Sequence, residues 1–144
     1  MYIEATLPMS SLNLNPQTAA VTFLVHGTRN AKALPVIREG LSRLCGRFSE
    51  TSGLPQNQVQ YSFLEFVEPS LKDVLSIFAK QGQKDLYIVP LLLFPGTHLY
   101  EDVPQISEEI QKEHSGVTVH VAEHIGVDDA EFLDIVNKRL DKVV

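Results

Sequence analysis

Residues 86–94 read Leu-Tyr-Ile-Val-Pro-Leu-Leu-Leu-Phe and carry no charge. This is the most apolar stretch of the chain, and it limits the fold more than any other feature. It falls well short of the ~18–20 residues that span a membrane. It suits instead a central strand covered on both faces by helices, as the strands of a parallel sheet are. Pro90 is awkward at a paired interior position, so a bulge or an unpaired N–H is expected there.

The segments around this strand repeat one alternation. Residues 20–25 are a short apolar run rich in β-branched side chains that ends at His26-Gly27, a buried strand. Leu34, Ile37, Leu41, Leu44 and Phe48 are spaced by three or four and share a helix face. Residues 58–66 form a second strand. Pro69 follows at a helix start, where its missing N–H costs nothing. Leu71, Val74, Leu75 and Phe78 stripe that helix, and Gly82 ends it. After the third strand, a loop over residues 95–102 leads to Pro104 and a helix carrying Val103, Ile106 and Ile110. Asp102 is placed as its N-cap. Residues 117–122 are a fourth strand. Asp128-x-x-Glu131 resembles a capping box for a last helix bearing Phe132, Ile135, Val136, Leu140 and Val143. Strand then helix, four times over, predicts an α/β fold: an open, parallel, four-stranded sheet with helices on both faces and right-handed crossovers. Residues 19–144 form that single domain, and residues 1–18, polar and without period, an extension outside it.

Composition narrows the function classes. A chain of 144 residues, 44% hydrophobic, fits one domain and needs no staples to hold a core. The single cysteine, Cys45, excludes an internal disulfide framework, a Cys-based zinc knuckle and an iron–sulfur cluster. It sits beside Leu41 and Leu44 on the apolar helix face and reads as core. A net charge of -6 with no basic cluster argues against nucleic acid as the main partner. Without a membrane span or a basic leader, the expected setting is cytoplasmic, with no membrane partner.

In an open α/β sheet, ligands bind beyond the carboxyl ends of the strands. His26 ends the first strand, Glu65 lies at the end of the second, and His98 follows the third within Pro95-Gly96-Thr97-His98. Two imidazoles and a carboxylate on one rim can bind a borderline divalent metal and accept protons. Singly each has a plain structural reading: a backbone-bonded histidine, a solvated strand terminus, an exposed turn. Their coincidence at one rim is what points to chemistry. Glu68, before Pro69, is the second-choice carboxylate and can equally sit at the helix N-terminus for its dipole. His124, after the fourth strand, also points toward the rim and ranks below the others. His114 and His120 read as surface positions. No nucleotide-binding glycine pattern, nucleophile elbow or zinc-protease motif is present.

His26-Gly27-Thr28-Arg29 after a strand, Phe63-Leu64-Glu65-x-x-Glu68-Pro69-Ser70, and Val89-Pro90-Leu91-Leu92-Leu93-x-x-Gly96-x-His98 followed by Asp102-Val103-Pro104 resemble the class II tetrapyrrole chelatases. This family contains the sirohydrochlorin cobaltochelatases and ferrochelatases of the CbiX/SirB type. The resemblance covers residues 21–126, with Thr28 where Ser is commoner and His124 where Pro is usual. The iron–sulfur cysteines of plant-type members have no counterpart here. The resemblance implies a chelatase-like fold, half of a flavodoxin-like arrangement. It also implies a lyase that inserts a divalent metal (Co²⁺, Fe²⁺ or Ni²⁺) into sirohydrochlorin or a related tetrapyrrole without ATP, in siroheme or cobalamin biosynthesis. By family pattern His26 and His98 bind metal and accept protons, with Glu65 as the accompanying acid. Arg29 is a candidate clamp for substrate carboxylates, or else a surface salt bridge. A metal or tetrapyrrole carrier using the same histidines is the non-catalytic alternative; a phosphoryl-transfer enzyme built on His26 would need an arginine cluster absent from this rim. Larger chelatases of this resemblance hold two such modules, so the short chain is expected to act as a homodimer. The loop 95–102, with Phe94, Leu99 and Tyr100, is the candidate for part of the cleft wall.

Overall fold

The computed structural model describes residues 12–94 and 96–144, and His98 by its backbone alone. Strands β1 (Ala19–Val25), β2 (Val59–Phe63), β3 (Asp85–Pro90) and β4 (Thr118–Val121) alternate with helices α1 (Leu34–Ser52), α2 (Leu71–Lys80), α3 (Thr97–Glu113) and α4 (Ala130–Asp141). All strand pairs are parallel and the order is β2-β1-β3-β4. This is the α/β sheet that the alternation predicts. The chain leaves β1 toward one edge and returns to build toward the other, so the switch point lies between β1 and β3.

Period-2 alternation divides the core. Ala20 and Leu24 of β1 and Leu86 and Ile88 of β3 face α2 and α3, meeting Leu75, Phe78, Val103 and Ile110. The alternate residues Ala19, Val21 and Phe23 face α1, where Phe23 packs edge-on against Phe48 at 5.3 Å. Leu14 packs on that same side, and the Gln58 amide donates to the Pro16 and Ala19 carbonyls, fixing the chain where it enters β1. Within the sheet the buried hydroxyls of Thr22 and Ser62 satisfy each other at 2.8 Å. Residues 1–11 of the predicted extension lie outside the described residues.

Two strands end earlier than expected, β2 at Phe63 rather than Phe66 and β3 at Pro90 rather than Phe94, and four further local expectations are corrected. Pro90 makes no bulge: it is the last residue of β3, opposite Leu24, and pairing resumes as Leu91 N–H donates to the Leu24 carbonyl at 2.8 Å. Helix α3 starts at Thr97, so the loop 95–102 is mostly helix, Asp102 is no N-cap, and Pro104 lies inside. The apolar stripe already begins at Leu99 and continues through Val103 and Ile110; its burial outweighs the one backbone bond that Pro104 cannot make. Pro69 precedes rather than opens α2, whose N-cap is Ser70, accepting from Asp73 N–H at 3.1 Å. At α4 the N-cap is Asp129, whose carboxylate accepts from Gly126 N–H at 2.8 Å, so the Asp128/Glu131 capping box does not form.

Candidate active site

Two hydrogen bonds carry the β1–β2 pairing beyond the strands. Leu64 N–H donates to the Val25 carbonyl at 2.9 Å and Glu65 N–H to the His26 carbonyl at 3.0 Å. His26 and Glu65 are thereby held on adjacent, hydrogen-bonded segments at the carboxyl rim, His26 exposed and Glu65 half-buried. Gly27 explains how the two chains come so close. Its φ is 107°, and a Cβ placed there would overlap the Glu65 carbonyl oxygen. Only glycine fits this backbone at this distance.

The segment after β2 is tied down at several points. Phe63 N–H donates to the Pro69 carbonyl at 2.9 Å, and Val67 N–H to the Glu65 carbonyl at 2.9 Å. The Arg38 guanidinium of α1 donates to the Glu68 carbonyl at 2.7 Å. Phe66 holds a φ of 71°, uncommon for a non-glycine residue, and its exposed ring lies 4.3 Å beneath the Arg29 guanidinium. Such a contact orients a cation while leaving its N–H groups available to a ligand.

Because β1 is central, its carboxyl end is flanked by Glu65 on the β2 side and by the β3–α3 connection on the other. His98 stands in the first turn of α3, directly after that connection. The three sequence-predicted positions thus belong to the carboxyl ends of three neighbouring strands, with His26 in the middle. Among the described residues no three His, Cys, Asp or Glu side chains gather as a metal cluster, a set from which the His98 side chain is missing. Glu68 is exposed in the tied segment. His124 lies farther out, lining a cavity of about 520 Å³ with Leu99, Tyr100, Val103 and Pro104.

The remaining candidates behave structurally. Cys45 is buried against β1 and β2, and burial pushes its thiol up to about 11. His120 stacks on Tyr87 at 4.6 Å and meets Asp85 at 3.0 Å, near the amino end of the sheet. Sequence reasoning missed Phe66 and Arg38. Phe66 carried no signal, because its role depends on the turn that sets it beneath Arg29.

Residues 20–143 match the model of the CbiX family. The chain is 32% identical over 120 residues to the chloroplastic sirohydrochlorin ferrochelatase of Arabidopsis thaliana, covering 83% of this chain and 50% of that protein. It is 37% identical over 86 residues to a sirohydrochlorin cobaltochelatase of Sulfurisphaera tokodaii, covering 60% of this chain and 68% of that one. The chain therefore spans between half and about two thirds of the length of these relatives. Among solved structures, a CbiX protein of Marinobacter aquaeolei VT8 superposes with a TM-score of 0.66 at 28% identity, over 88% of this chain and 98% of that one. SirB from Bacillus subtilis with Fe³⁺ superposes with a TM-score of 0.71 at 27% identity, over 88% of this chain and 47% of that one. The fold, the switch-point rim and the family match agree: the chain belongs to the CbiX family.

Proposed function

We propose that the protein inserts a divalent metal (Co²⁺, Fe²⁺ or Ni²⁺) into sirohydrochlorin, as a metal chelatase that uses no ATP. The observation that carries this reading is the alignment of His26, Glu65 and His98 at the carboxyl ends of three adjacent strands in a chain of the CbiX family. Insertion strips water from the ion and releases two pyrrole protons, so a metal ligand and a base must act together. His26 and His98 serve as neutral imidazole ligands and proton acceptors, and Glu65 offsets the ion's charge and passes protons to solvent. Glu68 is the substitute if Glu65 is not the acid. Arg29, stacked on Phe66, meets a substrate carboxylate.

The working unit in this reading is a cytoplasmic homodimer, because one four-stranded module offers a single wall to a large flat substrate. No helix among the described residues is long and apolar enough to cross a membrane. The test is to mix the protein anaerobically with sirohydrochlorin and each metal in turn, following visible absorbance. Rates above the protein-free control, lost in His26→Ala and His98→Ala, support the enzyme. Control-level rates with tight metal or tetrapyrrole binding refute it in favour of a carrier.

A further inference from the structure

Phe66 burdens the fold in two ways. Its φ of 71° lies in the left-handed region, where a bulky side chain is strained. Val67 N–H donates across it to the Glu65 carbonyl at 2.9 Å, so Phe66 is the centre of a γ-turn of the rarer, strained hand. Its ring is also 54% exposed and belongs to neither core cluster. Glycine would fill such a turn without strain. Burial therefore does not account for a phenylalanine here.

What the ring does touch is a cation. The Arg29 guanidinium lies over it, 4.3 Å from its centre. Arg29 is exposed, and among the described residues no carboxylate pairs with it. A guanidinium held this way keeps N–H groups to offer, and its fork matches a carboxylate through two bonds.

Both members of the pair are anchored to the candidate site. Arg29 follows His26 by way of Gly27, which approaches the Glu65 carbonyl too closely for any Cβ. Phe66 follows Glu65 directly. The turn is pinned on both sides. Glu65 N–H donates to the His26 carbonyl at 3.0 Å and Phe63 N–H to the Pro69 carbonyl at 2.9 Å. The Arg38 guanidinium donates to the Glu68 carbonyl at 2.7 Å. Backbone strain persists where the surroundings over-determine it, and it gathers at ligand sites.

We propose that Phe66 is a positioning residue of the tetrapyrrole site, holding the Arg29 guanidinium at the rim for one carboxylate arm of the substrate. The inference rests on the chelatase reading and deepens it, since the turn that follows Glu65 also sets the grip on the substrate. Without the ring, the long Arg29 side chain regains its rotamers. The cost of ordering it then falls on each binding event.

The test is a fluorescence titration with metal-free sirohydrochlorin, alongside KM and kcat for Co²⁺ insertion. Phe66→Leu should weaken tetrapyrrole binding and raise its KM about threefold, the loss of an exposed cation–π contact, with kcat carrying the smaller share. Phe66→Tyr keeps a ring and should restore the wild-type values. Arg29→Gln should weaken binding about tenfold or more, and raised salt should then weaken it less than it weakens the wild type. Adding Phe66→Leu to Arg29→Gln should cost nothing further, because the ring acts through the arginine. Phe66→Gly separates positioning from structure: it relieves the turn, so its urea midpoint should stay near wild type while binding weakens as in Phe66→Leu. Equal losses from Phe66→Leu with and without Arg29 would overturn the proposal. Wild-type affinity in Phe66→Leu and Phe66→Gly would overturn it alone, leaving the chelatase standing. A wild type that neither binds nor metallates sirohydrochlorin overturns both.

Discussion

Gly27→Ala is the sharpest single perturbation of the site that leaves every candidate side chain in place. With φ at 107°, the position is open to glycine and strained for any L side chain, and the added methyl would overlap the Glu65 carbonyl oxygen. Left-handed backbone costs an L residue about 1–2 kcal/mol. Forcing a methyl into occupied space adds roughly 1–3 kcal/mol. Relief must come by parting the two backbones, which lengthens or breaks the Glu65-to-His26 bond of 3.0 Å, about 1 kcal/mol more. The sum is roughly 3–6 kcal/mol, a large part of the roughly 5–15 kcal/mol that holds a typical domain. In thermal unfolding this is a fall of about 10 °C or more. Because the displaced backbone carries Glu65, metal insertion at a temperature where the variant is folded should fall at least about tenfold, as it does for misplacement of reacting groups by an ångström. Gly46→Ala is the matched control: Gly46 lies inside α1 with nothing within 4 Å of an added Cβ, so the same substitution should stabilise by up to about 1 kcal/mol. Urea unfolding of both variants, with insertion rates measured alongside, decides the matter. If Gly27→Ala kept the wild-type midpoint and rate, the close approach of these segments would not be what positions the site.

His26→Ala and His98→Ala should each lower the insertion rate by about 10²-fold or more with unfolding midpoints close to wild type; a retained rate in either removes that histidine from the mechanism. Glu65→Gln should slow turnover more than it weakens metal binding, and a larger loss in Glu68→Gln would move the acid's role there. Burial holds the Cys45 thiol near 11, leaving about one thiolate per thousand at pH 8. A disulfide reagent should therefore react slowly with the native protein and quickly once urea opens it, whereas prompt native reaction would contradict the packing of α1 on the sheet. Lys72 meets Glu109 at 2.9 Å, which lowers the Glu109 carboxyl and raises the Lys72 ammonium. The pair's coupling should thus be present at neutral pH, fade as acid titrates Glu109 below the ordinary carboxylate range, and fade again above the lysine range. Both side chains are exposed enough that salt should weaken it further, so a double-mutant cycle insensitive to pH and salt would argue against the contact.

The sheet was legible because its signal is redundant. The apolar run 86–94 marks the strand β3, although the strand ends at Pro90 with Leu93 and Phe94 exposed beyond it, and each further strand is a short apolar run followed by a helical period. Boundaries were legible only where local chemistry and burial agree. Pro104 and Asp102 both argue locally for a helix start, yet Leu99 belongs to the core, and its burial draws the first turn of α3 back to Thr97. The capping box at residues 128–131 failed for a similar reason: Asp129 takes the N-cap position and turns its carboxylate to Gly126. The candidate positions were legible as strand ends, since parallel order alone brings the residues after β1, β2 and β3 to one rim. What holds them was not. The Gly27–Glu65 approach, the Arg29–Phe66 stack and the Arg38 bond to the Glu68 carbonyl join segments about 30–40 residues apart, and no local pattern encodes such pairings.

For an acidic chain, the proposed carboxylate-bearing tetrapyrrole poses an electrostatic problem, and the distribution of charge bears on it. The net charge of -6 is not spread evenly. Glu108, Glu109 and Glu113 lie in the second half of α3, and Glu131 and Asp134 on α4, with Asp128 and Asp129 just before it. The two helices that open from the central strands, α1 and α3, have no acidic residue in their first turns. Their exposed N–H groups therefore present partial positive charge at the carboxyl rim without a neutralising side chain. Arg29, Lys32 and Arg38 stand on the same side of the molecule, after β1 and in the first turns of α1. Since Coulomb interactions between exposed groups fade within about 8–10 Å in physiological salt, a substrate at the rim would feel this local set more than Glu108, Glu109 and Glu113, toward the far end of α3. Glu101 and Asp102 in the second turn of α3 and Glu123 just past β4 are acids near the rim as well, and Glu65 and Glu68 stand at it. In the proposed chemistry a carboxylate is wanted at that point, beside a divalent ion whose own charge offsets it.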